Sequence, residues 1–88
     1  MKKERVIKNK SASNILDNIR WLRKRLKVSQ KEMSEALEYS VSNYGKIENG
    51  SSKLTILDFI LIAKVLKWPC SSFFKDHKEF TTSYENSF

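Results

Sequence analysis

Apolar residues start to recur at helical spacing only after Ser13, because Met1 to Ser13 holds just Val6, Ile7 and Ala12 besides the initiator. Residues 1–13 therefore read as a mobile basic arm. Asn14, with Asp17 three positions on, is placed to cap a helix. Behind it Ile15, Ile19, Leu22 and Leu26 return every third or fourth residue, with Leu16 beside them, to an end near Lys27. Ser29 and Glu32 form the Ser-x-x-Glu capping box that opens a second, brief helix, with Met33, Ala36 and Leu37 as its inner side. It gives way at Glu38–Tyr39. Ser40 caps a third helix with Tyr44 and Ile47 inward, and Asn49-Gly50-Ser51-Ser52 stops it. Thr55, followed by Asp58, caps a fourth, whose apolar run from Ile56 to Trp68 is broken by Pro69. A last turn or two carries Phe73 and Phe74. The pattern predicts an all-α, compact five-helix domain over residues 14–74. Residues 75–88 hold Phe80, Tyr84 and Phe88 among polar neighbours, compatible with a disordered tail, a docked extension or a short strand.

Composition narrows the picture. Gly45, Gly50 and Pro69 are the only punctuating residues, and a chain of 88 residues that is 40% hydrophobic has material for one helical core. The net charge of +7 points to an anionic partner: nucleic acid, or less often a membrane surface. The basic excess lies in the first fourteen residues and in the body, not in the tail. No apolar run reaches the roughly 18 residues of a spanning helix, and no signal-peptide core follows the basic start, so a cytoplasmic protein is expected. Cys70 is alone, which excludes an intramolecular disulfide and a cysteine metal site and suits a packing role. His77 is the only histidine, no phosphate-binding glycine loop is present, and Glu32, Glu35, Glu38 and Glu48 suit caps and exposed faces. Neither an enzyme, nor a cofactor, nor a metal is expected.

The segment from Gln30 to Asn49 carries the functional signal. Two short helices crossing at a steep angle let the second enter the major groove of DNA while the first braces it. Such a unit needs apolar residues where the helices meet and a small residue at their closest approach. Met33, Leu37, Tyr39, Tyr44 and Ile47 supply the former and Ser34 the latter. With Ile19-Arg20-Trp21-Leu22-Arg23, Val28-Ser29-Gln30-Lys31-Glu32-Met33, Ile47-Glu48-Asn49-Gly50 and Ile62-Ala63-Lys64-Val65-Leu66 followed by Phe73-Phe74, the chain resembles the Cro and lambda-repressor type of helix-turn-helix proteins, the xenobiotic-response-element family. The resemblance runs from Ile15 to Phe74. It implies a five-helix, lambda-repressor-like domain, commonly a homodimer, on a two-fold operator in double-stranded DNA.

Carried over by position, Val41, Ser42, Gly45 and Lys46 would face base edges. Gln30 would meet a phosphate and brace the recognition helix, Asn43 would meet the DNA backbone, and Ser51, Ser52 and Lys53 would approach phosphates. Glu48 would be structural, paired with a basic residue of the body. The chain departs from the family pattern at Glu38, where glycine is usual and a left-handed conformation is expected. Gly45 also interrupts the recognition helix, either as room for a neighbour or as a way to seat the helix deeper in the groove. The base-facing set lacks arginine and glutamine, so specificity is expected to lean on DNA shape as well.

Several features admit two readings. Arg20, Arg23, Lys24, Arg25 and Lys27 form either a solvated helix face or phosphate contacts. The arm is either a groove-tracking segment or a solubilising leader. Trp21 and Trp68 read as packing residues. In the fourth helix the core face would use Ile56, Phe59, Ile60, Ile62, Ala63 and Leu66. Leu57, Leu61 and Val65 add a second stripe, which Trp68 extends. That stripe is expected to be a two-fold dimer interface, the alternative being that Phe80, Tyr84 or Phe88 of the tail cover it. The competing function is a protein-interaction module of the same fold, an antitoxin or adaptor with DNA binding secondary. The chain leaves no room for a small-molecule effector domain, which suits a compact phage repressor. Lys53-Leu54-Thr55-Ile56 and Phe73-Phe74 also resemble the small controller proteins of restriction–modification loci.

Overall fold

The computed structural model describes the backbone of residues 3–88 and the side chains of residues 13–88. Among the described residues five α-helices follow one another: α1 (Lys3–Arg25), α2 (Gln30–Leu37), α3 (Val41–Glu48), α4 (Ile56–Leu66) and α5 (His77–Glu85), with a 3₁₀ helix (Cys70–Phe74) before the last. None of the described helices is long and apolar enough to cross a membrane. Three of the expected caps form. Ser29 and Glu32 complete the capping box at α2, Ser40 accepts from the Asn43 N–H at α3, and Thr55 accepts from the Asp58 N–H at α4.

The expected cap at Asn14 does not form. The α1 backbone starts at Lys3 and takes in positions read above as an arm, since no glycine or proline interrupts them and most are competent helix formers. Asn14 lies mid-helix, and its side-chain amide donates to the Lys75 carbonyl at 2.6 Å. The two roles open to the arm, groove tracking or a solubilising leader, fall on side chains outside the described residues.

The core is assembled from one stripe of each helix. Ile15, Leu16, Ile19 and Leu22 of α1 meet Met33 and Leu37 of α2, Tyr44 of α3, and Phe59, Ile62, Ala63 and Leu66 of α4, with Phe73 beneath. Burial of each large apolar side chain contributes about 1.5–3 kcal/mol. Ser34 is buried as expected of the small residue at the helix crossing, whereas Ala36, expected inside, faces water. In α4 the expected core face is rotated. Ile56 is 78% exposed and Ile60 39%, while Asp58 is buried instead. At about 100° per residue, Ile60 sits a third of a turn beyond Phe59, and Ile56 lies in the first turn, past the end of the core.

Tight connections follow from left-handed residues at three helix ends. Lys27, Glu38 and Lys67 have φ of 61°, 61° and 55°. The next N–H in each case reaches back five residues, Val28 to Arg23, Tyr39 to Ser34 and Trp68 to Ala63. This satisfies carbonyls that a helix end otherwise leaves unpaired.

Of the three conformations open to the tail, the docked extension is the one observed. Asp76 caps α5, and Phe80 and Tyr84 are buried against α1. Trp21 meets both rings edge-on, at centroid distances of 6.1 and 5.6 Å, and Trp68 lies 4.7 Å from Tyr84. A fully buried amide secures the junction. Asn18 donates to the carbonyls of Phe73 and Lys75, so its Oδ1 must accept, and His77 Nδ1 donates to it at 2.7 Å.

Candidate nucleic-acid interface

The α2–α3 unit is fixed from both ends. Glu38 adopts the left-handed conformation expected of it, ending α2 in a turn short enough that Ser40 caps α3 two residues later. Tyr44 and Ile47 face inward, leaving the opposite side of α3 free. There Val41, Ser42, Asn43 and Lys46 are exposed and Gly45 is half-buried. Positions 41, 42, 45 and 46 share one side of the helix at its 3.6-residue period, which is the arrangement a groove-reading face requires.

The inner end of α3 is held by a polar cluster around Glu48. Its carboxylate receives Arg23 Nε and Nη2 of α1 at 2.8 and 3.0 Å, the Tyr44 hydroxyl at 2.7 Å and Gln30 Nε2 of α2 at 3.1 Å. Burial opposes ionisation of this carboxyl. The hydrogen bonds from Arg23, Tyr44 and Gln30 outweigh that effect and hold it below its ordinary range. The Tyr44 phenol is pushed far above its usual range, chiefly by burial and then by its bond to Glu48. Arg20 adds a further restraint, donating Nη1 to the Glu48 carbonyl at the C-terminal end of α3 and Nη2 to Asp17.

Glu48 thus occupies the structural position implied for it. Gln30 takes the bracing half of its expected role. Arg20 and Arg23 are spent on the fold, and Arg25 pairs with Glu85 at the surface. Lys24 and Lys27 are exposed. Below α3, Gly50 takes φ of 89° and Asn49 Oδ1 accepts from the Ser51 N–H. Ser51 and Lys53 are exposed there and Ser52 half-buried.

The second α4 stripe is divided. Leu57 is 65% exposed, Leu61 and Val65 are partly buried against the core, and Trp68 is packed beneath Tyr84. The apolar surface left open comprises Ile56, Leu57, Ile60 and, from the 3₁₀ helix, Phe74, whose ring stacks edge-on to Phe59 at 5.7 Å.

Two contacts escaped sequence reasoning. Asn18 interrupts the apolar stripe of α1 between Ile15 and Leu22, a signal of a buried polar anchor that the pattern did contain. Tyr39 donates its hydroxyl to Asp58 Oδ1 at 2.9 Å across nineteen residues, for which the sequence holds no local signal. Among the described residues no cluster of His, Cys, Asp or Glu is arranged to hold a metal.

A family model described as helix-turn-helix matches residues 19–70, and the chain belongs to that family, of the Cro and repressor type. Membership makes it a DNA-binding protein of the transcription-regulator class. Neither the curated proteins nor the solved structures gave a significant match.

Proposed function

We propose that this protein is a sequence-specific, cytoplasmic transcription regulator that binds a two-fold operator in double-stranded DNA as a homodimer. Supporting this above all is the free side of α3, where Val41, Ser42, Gly45 and Lys46 stand together on a helix whose other side is anchored through Glu48. In this reading the Ser42 hydroxyl and the Lys46 ammonium hydrogen-bond base edges, and Val41 meets a thymine methyl. Gly45 lets the backbone approach closely. Gln30, Asn43, Ser51, Ser52 and Lys53 face the flanking phosphates.

The dimer forms around the open apolar face of α4. Leu57, with Ile56, Ile60 and Phe74, makes its centre, and the half-buried Leu61 and Val65 continue the stripe along the helix, which ends where Trp68 turns to Tyr84. Two recognition helices then stand about 34 Å apart, one turn of DNA. The same face also fits the competing reading, a module whose main partner is another protein. Salt separates the two. Phosphate contacts make log affinity fall linearly with log salt concentration, whereas apolar burial does not. Fluorescence anisotropy on operator DNA should therefore give a steep salt slope, reduced by about one for Lys53→Ala with base preference unchanged. A salt-independent affinity would favour the protein-interaction module.

A further inference from the structure

We propose that Tyr39 is a positioning residue: through Asp58 it fixes the angle between the helix-turn-helix unit and the dimer face, and so sets the operator spacing the protein accepts. This rests on the dimer of the preceding section. Tyr39 lies in the turn between α2 and α3, and its hydroxyl donates to Asp58 Oδ1 at 2.9 Å. Asp58 is buried in the first turn of α4, where its own N–H is capped by Thr55 at 3.1 Å. Ile56 and Leu57, the two residues before it, are among the most exposed apolar side chains of the described residues. One hydrogen bond therefore joins the reading unit to the helix turn that carries the contact surface.

The alternative links run elsewhere. Arg20, Arg23 and Gln30 secure α3 to α1 and α2, and their hydrogen bonds end on Asp17, Val28 and Glu48 rather than on α4. Apolar packing between α2 and α4 through Leu37, Phe59 and Ile62 sets the general crossing of the two helices, within a scatter of about 15–20°. The part-buried Tyr39–Asp58 hydrogen bond has a preferred length and angle, which lets it select one orientation within that range. For a two-fold protein, the rotation of each reading unit about its dimer face converts directly into the distance between half-sites.

Tyr39→Phe removes the hydroxyl and keeps the ring. Asp58→Asn keeps an acceptor oxygen, and Asp58→Leu removes the bond from the other side. Each full-length variant is compared with the natural chain on duplexes carrying the selected half-site singly, or as inverted pairs at every spacing within one helical turn. Sedimentation measures self-association, and circular dichroism confirms folding at the assay temperature. Tyr39→Phe should lose about three- to tenfold in affinity at the preferred spacing and spread its binding over neighbouring spacings. Its single-half-site binding and self-association should stay within about twofold of the natural chain, well inside the effect of one hydrogen bond. Asp58→Leu should reproduce the spread, and Asp58→Asn should retain the natural spacing. Unchanged spacing selectivity in both Tyr39→Phe and Asp58→Leu would overturn the proposal, as would an equal loss on single half-sites. A natural chain that stays monomeric and shows no pair preference would instead overturn the dimer, and this proposal with it.

Discussion

Glu48 accepts hydrogen bonds from side chains of three helices, with its carboxylate almost wholly removed from water. Its folded pKa lies below that of an unfolded glutamate, about 4.3. The stability it contributes is therefore full above that range and lost as pH falls through the folded value. Urea unfolding of the natural chain should show a falling midpoint below about pH 4.3, and Glu48→Gln, less stable at neutral pH, should give a flatter acid limb. Equal acid limbs would remove Glu48 from the account. Gly45 is testable on similar terms. A Cβ there would meet only Gln30 Oε1, at 3.9 Å, which is ordinary contact and leaves no neighbour needing the space. Gly45→Ala should thus raise stability by about 1 kcal/mol, seen as a higher Tm, while weakening operator binding. A variant that gains stability and keeps full affinity would show that the backbone does not need to approach the groove. Much of this scale was legible. The roles of Glu48, Ser29, Ser40 and Glu38 follow from short-range spacing or from the family pattern. The Tyr39–Asp58 bond joins residues whose proximity only the folded chain creates.

At the scale of elements, α2 and α3 appeared in the sequence nearly as they are built, because caps and stop residues act within one turn. The start of α1 and the whole of α5 did not. Lys3 to Ser13 has too few apolar residues to mark a helix by periodicity, and α5 is stabilised by what it covers. Its Phe80 and Tyr84 dock on Trp21 and, through Asn18, its first residue His77 is tied to α1. A nine-residue helix is marginal in water without such packing. Phe80→Ala should cost about 3–5 kcal/mol and shift tryptophan emission to the red as Trp21 becomes hydrated. If stability and emission stay unchanged, α5 is not part of the cooperative fold. The rotation of α4 has a related origin. A run as apolar as Ile56 to Leu66 gives periodicity little to discriminate, so the choice between its faces is made by packing partners.

The molecule as a whole is a basic body with one side of α3 and one apolar face of α4 exposed. Docking of α5 takes Trp68 out of the expected contact stripe and leaves the first half of α4, with Phe74, as its exposed part. The α2–α4 part of the fold was legible because its boundaries are local. The covered and uncovered faces were not, since they depend on a tail whose aromatic residues carry no stated destination in the sequence. In the proposed function α3 reads base sequence. Selection of bound sites from random duplex DNA, repeated with Lys46→Ala and Ser42→Ala, tests it most directly. A two-fold symmetric site is expected for the natural chain, with preference relaxed at matching positions in each variant. Binding without enrichment of any sequence, or enrichment that both variants leave unchanged, would contradict it.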